Sequence, residues 1–400
     1  FQQIDDMTHT PVNSNLRDIW NWMYAGVNRA NYFLEFQDKT PFEGKEIIIA
    51  ETRFLRAYYY FELVKWFGPI PIKESRFEIG DETTIPRSPV SEVYALIEED
   101  LKYAVNNLNY TAPQVGRVTK GAAQALLGKA YLYQNKFSEA ASVLDNLIAN
   151  GPYNLVIDYD TIFENAGENG IESVFEVQYT DAEGAGFGCL QCSEGNVAVG
   201  FNGIRNYSGP FFDSGFSFNV PTQDVVDEFE DGDLRKDVAI LDIDAWAADT
   251  GATFGIGNKH TGYYNRKYIP RKGDLNTGDQ NLTNPNNYRA IRFADVLLMA
   301  AEAYNRGGID DSKALSYLNR VRARAFGNTD HAVSSTGAAL TEAIAHERRV
   351  ELVGEGHRFF DLVRTGKGTL IPGFTANKNE VFPIPFEEIH DRQWESMFKQ

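Results

Sequence analysis

The stretch "GAAQALLGKAYLYQNKFSEAASVLDNLIANGP", residues 121–152, constrains the fold more than any other. Leu127, Gly128 and Tyr131 supply a bulky residue, a close approach and an aromatic on a first helix. Ala140 and Leu144 pack back from a second helix, and Pro152 closes the unit. The same logic returns at 294–325, through Ala301, Tyr304, Ala314, Leu318 and Val321, with one inserted loop residue. Two such units commit the chain to a stack, because a helix pair cannot bury its apolar faces alone.

The spacing is that of the tetratricopeptide repeat. Two weaker hairpins extend the pattern. One joins 16–36 to the stretch "ETRFLRAYYYFELVKWFGPIPI" at 51–72, and the other runs from 340 to 364 with a break at Gly354 or Gly356. In the aromatic-rich stretch, Phe54, Tyr58 and Phe61 follow i, i+4, i+7, with Leu55 and Tyr59 beside them. Arg53, Arg56, Glu62 and Lys65 fall largely on the other side. Gly68-Pro69 ends the helix, since glycine takes a left-handed cap and proline cannot extend the ladder.

Between the units lies a stretch rich in Gly, Asn, Asp and aromatics, with strand-like runs at 172–179 and 262–269. A helix is expected from Pro221-Thr222 to Gly232. The expected fold is therefore mostly α. About four tetratricopeptide-like helical pairs form a scaffold with a large irregular insert of short strands and helices. Residues 1–152 carry the first two pairs, 153–288 the insert, and 289–400 the last two pairs and the C-terminal tail. Ligand contacts are expected on the insert, because binding residues concentrate on irregular segments held by a rigid frame.

A net charge of -18 and a pI near 4.8 oppose nucleic acid and other polyanions. No apolar run approaches the roughly 18 residues that cross a bilayer. The opening "FQQIDDMTHT" is neither a signal peptide nor a lipid-attachment site. The only cysteines, Cys189 and Cys192, form a CxxC without a second pair for zinc, so a structural or incidental pair is expected over redox chemistry.

Catalytic signatures are missing: there is no GxSxG, no GxxxxGK[ST], and no GxGxxG at a strand–helix junction. "HERRVE" at 346–351 lacks the second histidine of a zinc protease motif. Glu347, Arg348, Arg349, Glu351, Glu355, Arg358 and Asp361 alternate in sign and suit i, i+3 and i, i+4 pairing that locks neighbouring helices. "LDIDAWAADTG" and "FEDGDLRKD" offer oxygen ligands to calcium without the spacing of an EF-hand loop. No metal or other cofactor is expected; calcium is the one ion these acids leave open.

The insert's aromatics fit neither a helical nor an alternating period. Tyr207, Phe211, Phe212, Phe216, Phe218, Trp246 and Phe254 stand among Asn202, Arg205, Asp242 and Asp244. An aromatic ring covers the C–H face of a sugar while polar neighbours take its hydroxyls. Trp246, Tyr207, Phe211, Phe212, Phe216, Phe254, Asn202, Arg205 and Asp244 are thus the candidate ligand-binding residues, with Trp246 the best single one.

Several stretches, in order, resemble the SusD/RagB family of outer-membrane nutrient-binding lipoproteins of the Bacteroidetes. They are "AETRFLRAYYYFELVKWFGPIPI" (50–72), "PTQDVVDEFEDGDLRKD" (221–237), "YRAIRFADVLLMAAEAYN" (288–305), "ALSYLNRVRARA" (314–325), "HERRVELVGEGHRFFDLVRTG" (346–366) and "NEVFPIPFEEI" (379–389). The resemblance implies a tetratricopeptide-like scaffold and a non-enzymatic protein at the cell surface. Such a protein is lipid-anchored in the outer membrane, binds an oligosaccharide or polysaccharide, and delivers it to a TonB-dependent, SusC-like transporter. The family's lipidated Cys and N-terminal residues are not in this sequence.

The expected function is accordingly glycan binding within a nutrient uptake system, with no nucleic-acid partner. The alternatives are a glycoside hydrolase on a helical frame, needing two carboxylates about 5–10 Å apart, and a peptide- or protein-binding helical-repeat adaptor.

Overall fold

A computed structural model of the chain describes residues 1–78, 81, 85–184, 186, 194–273, 279 and 281–389. Cys189 and Cys192 lie outside the described residues. The chain is mostly helical. Its main helices are α1 (Ser14–Phe36), α2 (Lys45–Phe67), α3 (Val90–Asn107), α4 (Lys120–Tyr133), α5 (Phe137–Asn150), α6 (Val197–Asn202), α7 (Ile243–Thr250), α8 (Phe293–Arg306), α9 (Asp311–Phe326), α10 (Gly337–Glu351) and α11 (Arg358–Arg364). Its strands are β1 (Ile70–Pro71), β2 (Arg87–Ser88), β3 (Ser173–Val177), β4 (Ile204–Arg205), β5 (Ser214–Gly215), β6 (Ile240–Asp242), β7 (Tyr263–Asn265) and β8 (Tyr288–Arg292). They pair two by two, β1–β2, β3–β8 and β6–β7 antiparallel and β4–β5 parallel.

Two compact units result. The first comprises Phe1–Pro113, Arg117–Val143 and Arg358–Gln400, and the second Gln114–Gly116 and Leu144–His357. Helix α10 ends at Glu351, and Gly354 and Gly356 then take positive φ, +77° and +85°, so α10 and α11 fall in different units.

In the first unit, α1, α2, α3 and α4 pack in sequence. Gly26 of α1 admits the Tyr59 ring so closely that a Cβ there would lie 2.4 Å from it. Phe54, Tyr60 and Phe61 of α2 are buried. Two residues reverse the expected face: Leu55 is exposed and Arg56 is buried. Arg56 is drawn inward because Asp100 of α3 takes a two-point guanidinium contact at 2.7 and 2.9 Å, and Asn31 of α1 accepts a third bond at 3.0 Å. A charge thereby ties three helices together. Gly68, at φ +70° and ψ −126°, ends α2 in a region open essentially to glycine alone.

In the second unit the repeat residues Ala301, Tyr304, Ala314, Leu318 and Val321 are all buried between α8 and α9. The latter half of α5 is tied to α9 through Asp145, which accepts from Lys313 at 2.7 Å and from the Tyr317 hydroxyl. The helix expected over 221–232 is one turn, Gln223–Val226. Its acids pair with arginines elsewhere in the chain instead: Asp224 and Glu228 with Arg349 and Glu230 with Arg322, while Asp233 beyond it is buried with Arg235.

Glu347 and Glu351 of α10 likewise pair across elements. Glu351, fully buried, accepts from Arg235 at 2.8 Å, Arg292 at 2.9 Å and Arg324 at 2.6 Å. Glu347 takes Arg235 and Arg322, and Arg348 takes Asp295. Arg292, at the junction of β8 and α8, also holds Glu355 through two parallel bonds of 2.7 and 2.8 Å and Glu172 at 2.7 Å. Lys267 donates to Glu355 at 2.7 Å and to the Glu351 carbonyl at 3.0 Å. Burial, opposed by Glu355 and Glu351, pushes the Lys267 ammonium down to about 8. Burial pushes the Glu351 carboxyl up, but Arg324, Arg292, Arg235 and Lys267 together hold it well below the usual carboxylate range.

Removing one partner from such a site strands buried charge. Glu351→Gln should cost about 3–5 kcal/mol, a fall in Tm of roughly 10 °C for a unit of this size, read by calorimetry. The pKa values of Glu351 and Glu355 are depressed in the fold. Their contribution is therefore complete above the unfolded glutamate pKa of about 4.3 and is lost as pH falls below it. Urea unfolding from pH 6 to pH 3 should show a steep loss of stability below that value, shallower in Glu351→Gln.

Candidate functional site

The candidate residues converge on the part of the second unit built by β4–β5, β6–β7 and α7. Asp242 caps α7 by accepting from the Ala245 amide at 2.9 Å, and Gly251 closes it at φ +72°. The acidic flank of Trp246 is thus partly helix chemistry, while Asp244 is exposed in the first turn. Among the described residues no group of three or more His, Cys, Asp or Glu side chains is placed to hold a metal ion.

Phe212 has no exposed surface. It sits with Ile204, Leu241, Ile243, Tyr264 and Ile269 in a local core, so it floors the site and offers no face to a ligand. Tyr207 is also buried and acts as a strut, donating to the Pro210 carbonyl at 2.6 Å and accepting from the Trp246 indole N–H at 2.9 Å. Trp246 and Phe254 pack half-buried against the rim of that core. Asn202 is buried too. Its amide donates to the Ala198 carbonyl, and its oxygen accepts from Asn219 at 2.9 Å and Asn265 at 3.2 Å. It therefore holds the fold and is not free to meet a ligand.

Phe211 differs from its neighbour. It is 48% exposed, and its backbone takes φ +73°, rare for a bulky residue. The Phe212 amide donates back to the Pro210 carbonyl at 2.8 Å, closing a three-residue turn centred on Phe211. Such a conformation costs about 1–3 kcal/mol and persists only where its surroundings enforce it. Here they do, since Lys272 donates its amide to the Phe211 carbonyl at 3.0 Å and Asp213 donates to the Pro270 carbonyl at 2.9 Å. The Phe211 ring stands edge-on to Phe212 at 5.0 Å and tilted against Trp246 at 6.5 Å.

The Arg271 guanidinium lies 5.0 Å from the rings of both Phe211 and Phe212 and pairs with Glu164 at 2.8 Å. Sequence reasoning missed Arg271, Lys272 and Asp213. "IPRKGD" carries no local sign that it meets residues sixty positions earlier. Burial, with Lys272 opposing, pushes the Asp213 carboxyl up.

Phe216 falls in a separate group. It stacks on Phe218 at 5.6 Å and 26°, with Phe201 5.9 Å away edge-on. Arg205 belongs here, its guanidinium donating to the Phe216 carbonyl at 2.9 Å. The first group can do what a sugar site requires. An exposed ring beside an indole offers an apolar face, bordered by a guanidinium, an ammonium and carboxylates that exchange hydrogen bonds with hydroxyls.

Helical pairs carrying an irregular insert that turns phenyl rings outward define a helical-repeat scaffold with a displayed aromatic surface. Residues 242–381 match the SusD family, and residues 1–132 match the family described as "Starch-binding associating with outer membrane". A solved structure described as "Laminarin binding SusD-like protein" is 36% identical, with 98% of this chain and 87% of that chain covered and a TM-score of 0.89. Surface glycan-binding protein A from Bacteroides thetaiotaomicron, solved in complex with laminarihexaose, is 25% identical over 97% of this chain and 86% of that one, with a TM-score of 0.84. SusD-like protein P2 of Formosa agariphila is 27% identical over 97% of this chain and 81% of that protein. The chain belongs to the SusD family.

Adjacent phenylalanines should separate core from surface. Phe212→Ala should destabilise by about 3–5 kcal/mol and Phe211→Ala by less than about 1 kcal/mol, as measured by urea unfolding.

Proposed function

We propose that this chain is a cell-surface glycan-binding component of a nutrient uptake system and that its ligand is a neutral glucan of the laminarin type. The Phe211 ring, with Trp246 and Arg271 beside it, receives a sugar face. Asp213 and Lys272 lie within its polar border. The single observation that carries the reading is the exposed Phe211 ring held in strained backbone, a ring that core packing does not need. It is supported by likeness to a laminarin-binding relative and to a laminarihexaose complex.

In this reading the protein binds without turnover and without a metal or other cofactor. It is lipid-anchored at the outer membrane through a segment not in this sequence and delivers its ligand to a TonB-dependent, SusC-like transporter. The charge of -18 disfavours sulfated and uronate-rich chains.

Affinity electrophoresis in laminarin gels tests this directly. The protein should be retarded by laminarin and not by a sulfated polysaccharide, equally with and without EDTA, and should release no reducing sugar on incubation. Phe211→Ala should weaken binding about tenfold, on the order of 1.4 kcal/mol. Equal retardation of the variant would move the site elsewhere. Absence of retardation by laminarin and other neutral glucans would remove the reading.

A further inference from the structure

The insert's aromatics form two groups, and the second is built as deliberately as the first. Phe218 is 51% exposed, stacked on half-buried Phe216. Both are pinned by backbone bonds, Phe216 donating to the Gly200 carbonyl at 3.0 Å and Phe218 to the Phe201 carbonyl at 2.8 Å. Ser217 between them has φ +57°, and its buried hydroxyl meets the Tyr264 hydroxyl at 3.1 Å and accepts from the Arg205 amide at 2.9 Å. Each exposed phenyl is thus set by a positive-φ residue, at 211 or at 217.

The chain between the two rings is fixed. A Cβ on Gly215 would lie 2.3 Å from the Gly200 carbonyl oxygen and 2.4 Å from Gly203 Cα, so β5 rests directly on the backbone around α6. Gly257 abuts the Ser217 side chain and the Arg205 guanidinium, closing the backbone behind the pair. Exposed Asn219, tied to Asn202, supplies an amide at the border. Phe218, half in water, forgoes part of the about 1.5–3 kcal/mol that full burial of such a ring would provide. An apolar face with an amide and a guanidinium at its edge is again the chemistry of a sugar face.

Resting on the glucan reading of the first group, we propose that Phe216 and Phe218 form a second sugar subsite. Phe211 and Phe218 lie at the ends of one stretch whose fully extended backbone would reach no more than about 25 Å. A single extended oligosaccharide spans that distance, and a second contact on the same ligand acts at high effective concentration. The protein therefore selects ligand length as well as ligand chemistry.

Calorimetric titration with β-1,3-linked glucose oligomers from disaccharide to hexasaccharide tests this. Wild-type affinity should rise at least about tenfold from the shortest ligand that binds to the hexasaccharide. In Phe218→Ala the hexasaccharide affinity should fall to near that variant's own affinity for the short oligomer. Phe218→Trp should keep the gain, and Phe211→Ala should weaken binding at every length. A length-independent wild-type affinity, or a Phe218→Ala variant that keeps the full gain, overturns the second subsite and leaves the glucan reading standing. No binding at any length overturns the glucan reading, and the subsite with it. Thermal melts of each variant separate loss of binding from loss of fold.

Discussion

The buried carboxylate of Glu351 is the interaction on which the second unit depends. Three guanidiniums, from the segment before β6, the end of β8 and the last turns of α9, converge on its two oxygens. Each belongs to a different part of the chain, so the carboxylate fixes elements that no local hydrogen bond relates. Moving two charges out of water costs several kcal/mol per ion, and the attraction offsets this only where geometry is close and remaining donors are satisfied. Arg292 meets that condition, since Glu355, Glu172, Glu351 and the Glu351 carbonyl take all of its donor directions. The network supplies specificity of arrangement as much as net stability, because a slipped element would leave an unpaired charge in the interior.

The same logic, on a smaller scale, organises the first unit. Arg56 reaches Asp100 and Asn31, and Asn31 in turn donates to the carbonyls of Lys73 and Ser75. The aromatic mass of α2 fills the space between helices, and the buried guanidinium sets their register. The insert uses a different device. A chain of amides runs from Asn219 through Asn202 to Asn265, which donates to the Gly354 carbonyl between Glu351 and Glu355. The displayed rings are thus anchored to the charged interior by neutral hydrogen bonds and backbone contacts.

Local pattern made the scaffold legible. The repeat positions around Leu127 and Leu318, the aromatic helix and the strands at 173–177 and 263–265 stand where periodicity and turn residues placed them. What was not legible is long-range pairing. Nothing near Arg56 says that it turns inward while Leu55 turns out, because Asp100 decides this from another helix. Nothing near Glu347 distinguishes pairing along its helix from pairing with Arg235 and Arg322. At the site, composition marked the aromatics as a set, but one positive-φ turn sends Phe211 outward and Phe212 into the core. Arg271 completes the surface from far along the chain and carries no motif.

The turn at Phe211 has an entropic consequence. A ring on a mobile loop must be immobilised when its ligand arrives, and that loss is subtracted from affinity. Here the ring is ordered when the chain folds, held by the backbone of 270–272, so association asks little further ordering of it. Because the hold is exerted through main-chain groups, the side chain at 211 can change without disturbing what positions it. A surface of this kind can be retuned to another ligand one residue at a time, while the charged interior beneath it stays as it is.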